Sequence, residues 1–358
     1  MLEEIISHEN LNLAFSKVAR NKGTYGIDGM TTENLFLFLE RYGEELRQAV
    51  INGTYSPQPV RSVKIPKGNG KFRTLGIPTA IDRLVQRAIV QVLMPLYEFE
   101  FSEASYGFRP ERSIEDAVKK CQDYFNQGYI WVVDMDLEKF FDSVSREKLM
   151  AVLCNNIHDE RVLYLIKQFI NAGIIENGQT VKTCAGISQG SPLSSLLANI
   201  MLNELDQELI QRCEKFVRYA DDMIIFCRNS ASAHQALKHI TPYIEENLLL
   251  KINDEKTMIA CVDRIKFLGY GFFRTSGGFR ICIHESSIHK MKEHLIKLAK
   301  NIDDLEGMKK IQAYIASWIS HYRLADIEKF LYDSREWLGT SLAETFIKIW
   351  LGQQEKIH

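Results

Sequence analysis

No apolar run in this 358-residue chain approaches the roughly 18–20 residues that a membrane helix needs, so nothing in it reads as a membrane span. The N-terminus, MLEEIISHENLNLAF, is acidic and amphipathic, and lacks the basic start and apolar core of a secretion signal. The seven cysteines are odd in number and scattered over positions 121, 154, 184, 213, 227, 261 and 282, with no Cys-x-x-Cys pair. That argues against a disulfide framework or a cysteine zinc site, and for a reducing cytoplasm. Proline is scarce at eight residues, and there is no Ser/Gly-rich tract or block of like charge, which excludes a long disordered tail. No repeat with a period of roughly 20–50 residues is present. Excess positive charge is missing too: 44 basic residues face 46 acidic ones, for a net charge of −2. Proteins that hold nucleic acid grip phosphates with Lys and Arg. The balance therefore lowers the expected non-specific affinity while leaving room for a local basic groove.

What is present suits a folded globular protein. Hydrophobic residues make up 46% of the chain, enough for a sizeable core and two or three substructures. Residues 1–60 read mostly as helix, with Leu11, Phe15 and Val18 at helical spacing, a Gly-rich loop from Asn21 to Gly29, and a second helix from near Thr31. Two strands, 60–66 and 71–78, flank the turn Lys67-Gly68-Asn69-Gly70. A helix is expected from Asp82 to Leu96, a strand from Ile130 to Asp136 and a helix from Arg146 to Leu153. Ser191-Pro192, with Ser as cap and Pro in the first turn, opens a further helix from Leu193 to Arg212. Residues 216–227 read as two apolar strands with Asp221-Asp222 at their tip. From about 284 the chain is helical, with Ile288, Met291, Leu295 and Leu298 on one face. Strands and helices mix without regular alternation, which favours the α+β class over a doubly wound sheet.

Two segments set carboxylates at the ends of apolar strands: Val132-Val133-Asp134-Met135-Asp136-Leu137, and Tyr219-Ala220-Asp221-Asp222 followed by Met223-Ile224-Ile225-Phe226. Carboxylates gathered in such surroundings repel one another and are costly to desolvate, unless a cation neutralises them. Hard oxygen donors suit Mg²⁺, which completes its shell with waters and substrate phosphates. Two such ions stabilise both the attacking and the leaving oxygen of a phosphoryl transfer. Asp is common in turns, so Asp221-Asp222 alone also fits an ordinary polar hairpin. By spacing, Asp134 and Asp136 share one strand face, and either could be the ligand.

At these residues the chain resembles the reverse transcriptases encoded by bacterial group II introns, from about residue 20 to residue 350. Tyr219-Ala220-Asp221-Asp222 is similar to the polymerase box. The segment 134–142 (Asp-Met-Asp-Leu-Glu-Lys-Phe-Phe-Asp) is similar to the other metal-binding motif, in which the Asp four residues before the first Phe is the ligand, Asp136. Further stretches agree in order: Gly26-Ile27-Asp28-Gly29; Ile65-Pro66-Lys67 through Pro78 and Asp82-Arg83; Ser105-Tyr106-Gly107-Phe108-Arg109-Pro110; Ser188-Gln189-Gly190-Ser191-Pro192-Leu193-Ser194; Asn253-x-x-Lys256-Thr257; and Phe267-Leu268-Gly269-Tyr270. The resemblance implies a right-hand polymerase: an N-terminal extension over 1–60, fingers and palm over 61–275 with an antiparallel palm sheet, and a helical thumb over 276–358. It implies an RNA-directed DNA polymerase holding two Mg²⁺ ions, for which Mn²⁺ substitutes, at Asp136, Leu137, Asp221 and Asp222. It assigns Lys67, Arg73, Phe140 and Gln189 to the dNTP, with Phe140 under the sugar, and Leu268, Gly269, Tyr270 and Lys256 to primer and template. The implied partners are an RNA template, a DNA or RNA primer and dNTPs, with no membrane.

Some positions depart from that family. Ser188 and Ser195 stand where it usually has Pro, the stretch after Leu338 lacks Arg, and the chain ends at His358 without a DNA-binding or endonuclease region. With the net charge of −2, this points away from intron mobility. The expectation is an enzyme working on a dedicated noncoding RNA, or in antiviral defence. Two other readings stand beside it: a maturase-type RNA-binding protein, and a polymerase that works without a template or from a protein primer.

Overall fold

The computed structural model describes the chain apart from residues 22, 69–70, 177, 182–184, 300–304 and 355–358. Three helices, α1 (Leu2–Ile5), α2 (His8–Arg20) and α3 (Thr32–Ile51), precede a hairpin of β1 (Val60–Gly68) and β2 (Lys71–Ile77). Helices α4 (Ala80–Glu98) and α5 (Ile114–Asn126) lead to β3 (Trp131–Met135). Next come α6 (Phe140–Ser143), α7 (Arg146–Asn156) and α8 (Glu160–Asn171), short strands β4 (Ile174–Glu176) and β5 (Gln179–Val181), and the long α9 (Pro192–Gln211). A second hairpin, β6 (Lys215–Tyr219) and β7 (Asp222–Cys227), is followed by α10 (Ser230–Pro242), a π turn over Tyr243–Asn247 and β8 (Met258–Cys261). The hairpin of β9 (Tyr270–Thr275) and β10 (Gly278–Ile283) leads into α11 (Glu285–Ala299), α12 (Leu305–His321), α13 (Ile327–Ser334) and α14 (Thr340–Gln354).

The helix starts follow the capping chemistry of the sequence. Ser7, Thr31, Thr79, Ser113, Ser145 and Ser191 each accept a hydrogen bond from a backbone N–H in the first turn of the helix they precede. The N-terminal helices are fastened to α4, where the Asn10 amide donates to the carbonyls of Ile5 and Ala88. The loop before α3 is pressed onto the same region: a Cβ on Gly26 would lie 2.6 Å from Thr79 Cα, so this close approach requires glycine.

Two four-stranded sheets carry the framework. The first runs β2-β1-β4-β5, with β1 and β2 antiparallel from Arg61↔Ile77 to Pro66↔Phe72 and β4 parallel to β1. The second runs β6-β7-β3-β8 and is antiparallel throughout. This is the expected α+β architecture with an antiparallel palm sheet. The β9–β10 hairpin pairs across residues 275 and 276, where a palm–thumb boundary was expected, so the two strands form one unit.

Alternation along the second sheet sorts its side chains to two cores. Val133, Met135, Met223, Ile225, Cys227 and Phe216 face one core, which is built largely on α4, α7, α9 and α10. Val132, Val217, Ile224, Phe226 and Ala260 face the other, shared with α5, β9, β10 and the C-terminal helices. Asp134 and Asp136 continue the second set, on the face turned toward the C-terminal helices.

Candidate active site

The carboxylates meet because of strand register. Met135 lies opposite Met223 in the β3–β7 ladder, so Asp136 and Asp222, the next positions on each strand, face each other across the sheet end. Asp134, two residues back, shares their side. Tyr219 pairs with Asp222, which leaves a two-residue turn of Ala220 and Asp221. Ala220 takes the left-handed backbone (φ 58°), which L-residues other than Asn and Asp seldom adopt.

Electrostatics mark the cluster. Burial, then the Asp222 and Asp136 carboxylates, raise the Asp134 carboxyl to about 7. Asp222 has an exposed flank, yet the protein packed around it, together with Asp221 and Asp136, pushes it up to about 6; Arg73 and Lys256 act in the opposite sense. Asp136 is held from the other side. Asn253 Nδ2 donates to its Oδ1 at 3.0 Å, and Lys256 Nζ lies 3.0 and 3.1 Å from its two oxygens. The backbone is pinned by Asn253 N–H on the Asp136 carbonyl and by Asp136 N–H on Thr257 Oγ1.

Leu137 pairs with Ile252 in an isolated bridge whose hydrogen bonds are made by Asp136 and Glu138, so the Leu137 carbonyl points away from that partner. Among the described residues, no three acidic, His or Cys side chains close into a metal cage. The fit is therefore to an open site of mutually repelling carboxylates. That suits Mg²⁺, which takes one or two carboxylates and fills its shell with water and phosphate oxygens. Asp136, Asp221, Asp222 and the Leu137 carbonyl are the groups that would hold it.

The two sheets meet at this site. Arg73, on β2, donates from Nε to Gln189 Oε1 at 2.7 Å, and the Gln189 carbonyl accepts from Gly76 N–H at 2.8 Å. Two residues expected at the nucleotide are thus brought together, with Arg73 close enough to Asp222 to act on its charge. Lys67 is the next-to-last residue of β1, and its side chain lies outside the described residues. Phe140 is only 2% exposed and packs edge-on against Phe141, itself buried.

Two of the residues expected at the primer make contacts within the protein. Tyr270 is fully buried, and its hydroxyl donates to the His321 carbonyl, so its side chain joins the palm hairpin to α12 and has no surface for a primer. Lys256 pairs with Asp136, on the catalytic side. Leu268 and Gly269 form a half-buried turn, both with left-handed φ (52° and 90°), closed by reciprocal bonds between Phe267 and Tyr270. The Gly269 carbonyl accepts from His284 N–H and Ser287 Oγ, and Tyr322 Oη lies where a Cβ would stand. Sequence reasoning missed Lys266, beside this turn. Burial and Lys290 lower its pKa, while Asp222, within electrostatic reach, raises it. Its place immediately before Phe267-Leu268-Gly269 was the available signal.

An antiparallel palm sheet with carboxylates at adjoining strand ends, faced by an Arg–Gln pair from a second sheet, defines a right-hand nucleotidyl polymerase. The family model for reverse transcriptase (RNA-dependent DNA polymerase) matches residues 65–272, and the chain belongs to that family. It is 34% identical over 290 residues to Protein YkfC of Escherichia coli K12, across 70% of this chain and 76% of that one. It is 31% identical over 384 aligned positions to the group II intron-encoded protein LtrA of Lactococcus lactis, across 87% of this chain and 63% of LtrA. These relatives place it with the bacterial group II intron-type reverse transcriptases. A telomerase structure from Candida albicans shares the fold, with TM-score 0.51 and 15% identity over 88% of this chain and 63% of that one. No helix among the described residues is long and apolar enough to cross a membrane.

Proposed function

We propose that this chain extends a primer 3′-hydroxyl with deoxynucleotides on an RNA template, by phosphoryl transfer at Asp136, Asp221 and Asp222. The observation that carries the reading is the coupled carboxylate face at the ends of β3 and β7, opposite the Arg73–Gln189 pair. When bound, two Mg²⁺ ions would supply charge neutralisation at the attacking and leaving oxygens. The chain's own residues do the rest. Asp136 is kept in place by Asn253 and Lys256, while Arg73 and Lys67 would meet the triphosphate and Gln189 would orient the nucleotide. Phe140, buried against Phe141, would back the site under the sugar, and Leu268, Gly269 and Lys266 would border the primer end. Template–primer containing RNA is A-like, so the C-terminal helices would read shape and backbone.

The native template, on this proposal, is a dedicated RNA, and the setting is antiviral defence or another cellular role rather than intron mobility. The balanced charge supports this, because gripping a large folded intron RNA is strongly electrostatic. Incorporation of dNTPs on a primed RNA template, lost in Asp221→Ala, tests the reaction. Sequencing RNA that co-purifies with the protein from cells tests the template: one recurrent noncoding RNA supports the proposal, and intron RNA from a flanking locus contradicts it.

A further inference from the structure

Asp221 and Asp222 sit on a turn whose backbone is held from below by side chains remote from any substrate. Arg218 is the residue of β6 that turns toward α9, and it is fully buried. Its guanidinium is used on three sides. Nε and Nη2 donate to the two oxygens of Asp206 at 2.8 and 2.5 Å, in an ion pair with neither side chain exposed. Nη1 donates to Asn199 Oδ1 at 2.9 Å and to the Ala220 carbonyl at 3.0 Å. Asn199, also fully buried, donates from Nδ2 to the Gly107 carbonyl at 2.8 Å. The chain before Gly107 is laid along β6 by Arg218 N–H on the Ala104 carbonyl and Tyr106 N–H on the Arg218 carbonyl, both 2.8 Å. A Cβ on Gly107 would strike Ala220 N. Arg109 holds the same loop from its other end, donating to the carbonyls of Ser102 and Ser105 and pairing with Glu98.

A buried ion pair is a poor source of stability, since apolar side chains of similar volume commonly serve as well. The salt bridge to Asp206 therefore does not by itself account for Arg218. The arm to Ala220 does. A left-handed alanine persists only where its surroundings over-determine it. Here they are a forked cation fixed by Asp206 and Asn199, together with a glycine loop pressed on the turn. Lys, with one nitrogen, could not bridge Asp206, Asn199 and Ala220 at once.

We infer that Arg218, Asp206 and Asn199 are positioning residues, which lock the backbone at Ala220 and so fix where Asp221 and Asp222 present their carboxylates to metal. The inference rests on the polymerase reading of those aspartates. A displacement of about 1 Å at such a site costs up to about 100-fold in rate.

The test compares wild type with Arg218→Lys, which keeps a charge opposite Asp206, and with the double variant Arg218→Met/Asp206→Leu, which removes both buried charges together. Each is read in three ways: thermal melting, single-nucleotide incorporation on a primed RNA template, and Mn²⁺ titration of the free protein followed by electron paramagnetic resonance. The expected result is a folded protein with kcat lowered by about 10- to 100-fold. The dNTP KM should stay within about twofold, and half-saturation by Mn²⁺ should move up by roughly the same factor as kcat falls. Wild-type kcat and Mn²⁺ affinity in either folded variant would overturn the inference. So would failure of both variants to fold at any temperature, which would make the network structural only. If wild type incorporates nothing, the polymerase reading fails, while the Mn²⁺ titration still reports on the positioning.

Discussion

Asp134 should make the metal-free protein less stable as pH rises, and replacing it with Asn should undo this. Its carboxyl is raised from 3.8 to about 7 by burial and by Asp222 and Asp136. No hydrogen bond to it is formed among the described residues. A folded-state pKa above the unfolded one means that the native state holds a proton that the unfolded state has released. The penalty is absent below about pH 4, grows between about 4 and 7, and is complete above 7. The full separation corresponds to about 4 kcal/mol at about 1.4 kcal/mol per pH unit. Part of it is shared with Asp222 through their mutual repulsion, and part is relieved by solvent, so about 2 kcal/mol is the figure to expect. Asp134→Asn keeps the shape and removes the charge. Its melting temperature should match wild type near pH 4 and exceed it by about 2–3 °C at pH 8, measured in EDTA. Millimolar Mg²⁺ should narrow the gap by neutralising Asp222 and Asp136. A variant less stable than wild type at pH 8, or a difference independent of pH, would refute the claim that this face is a strained anionic cluster.

Three further outcomes follow from the same geometry. Gln189→Ala removes the partner of Arg73 Nε and should raise the dNTP KM about tenfold with a smaller change in kcat, a loss of roughly 1.4 kcal/mol of nucleotide binding seen in steady-state incorporation. Tyr270→Phe deletes the hydroxyl that reaches the His321 carbonyl; it should cost about 1 kcal/mol of stability on denaturant unfolding while leaving primer affinity unchanged. Phe140→Val shortens the buried side chain proposed to lie under the sugar; on that proposal it should raise ribonucleotide use relative to deoxynucleotide in competition assays, at about 1–3 kcal/mol of lost packing.

Much of the site could be read from the residues. The alternation around Asp134 and Asp136 put both on one strand face, and the register of β3 against β7 then sets Asp136 opposite Asp222. Spacing could not separate Asp134 from Asp136, because a two-residue step returns to the same side. The structure shows that Asp134 feels the charge of Asp136. Less legible was anything fixed by distant chain. Tyr270 follows a Gly turn and is grouped with it at the primer by the sequence, whereas its hydroxyl is taken up by His321 of α12, some fifty residues on. The parallel pairing of β4 with β1 joins segments separated by two strands and five helices, beyond the reach of local pattern. Arg218 left a trace, being a charge inside an apolar strand, as did Asp206 inside an apolar helix. Their partnership required the fold.

The proposed chemistry rests most directly on the three aspartates, and single-nucleotide incorporation across a Mg²⁺ titration, on an RNA template with a DNA primer, tests them. Wild type should incorporate the complementary dNTP with saturable Mg²⁺ dependence. Asp136→Ala, Asp221→Ala and Asp222→Ala, each folded by circular dichroism, should fall by at least about 1,000-fold, as expected when charge stabilisation worth about 4 kcal/mol is removed. Incorporation that persists in any of the three at rates near wild type, or none by wild type with either Mg²⁺ or Mn²⁺, would contradict it.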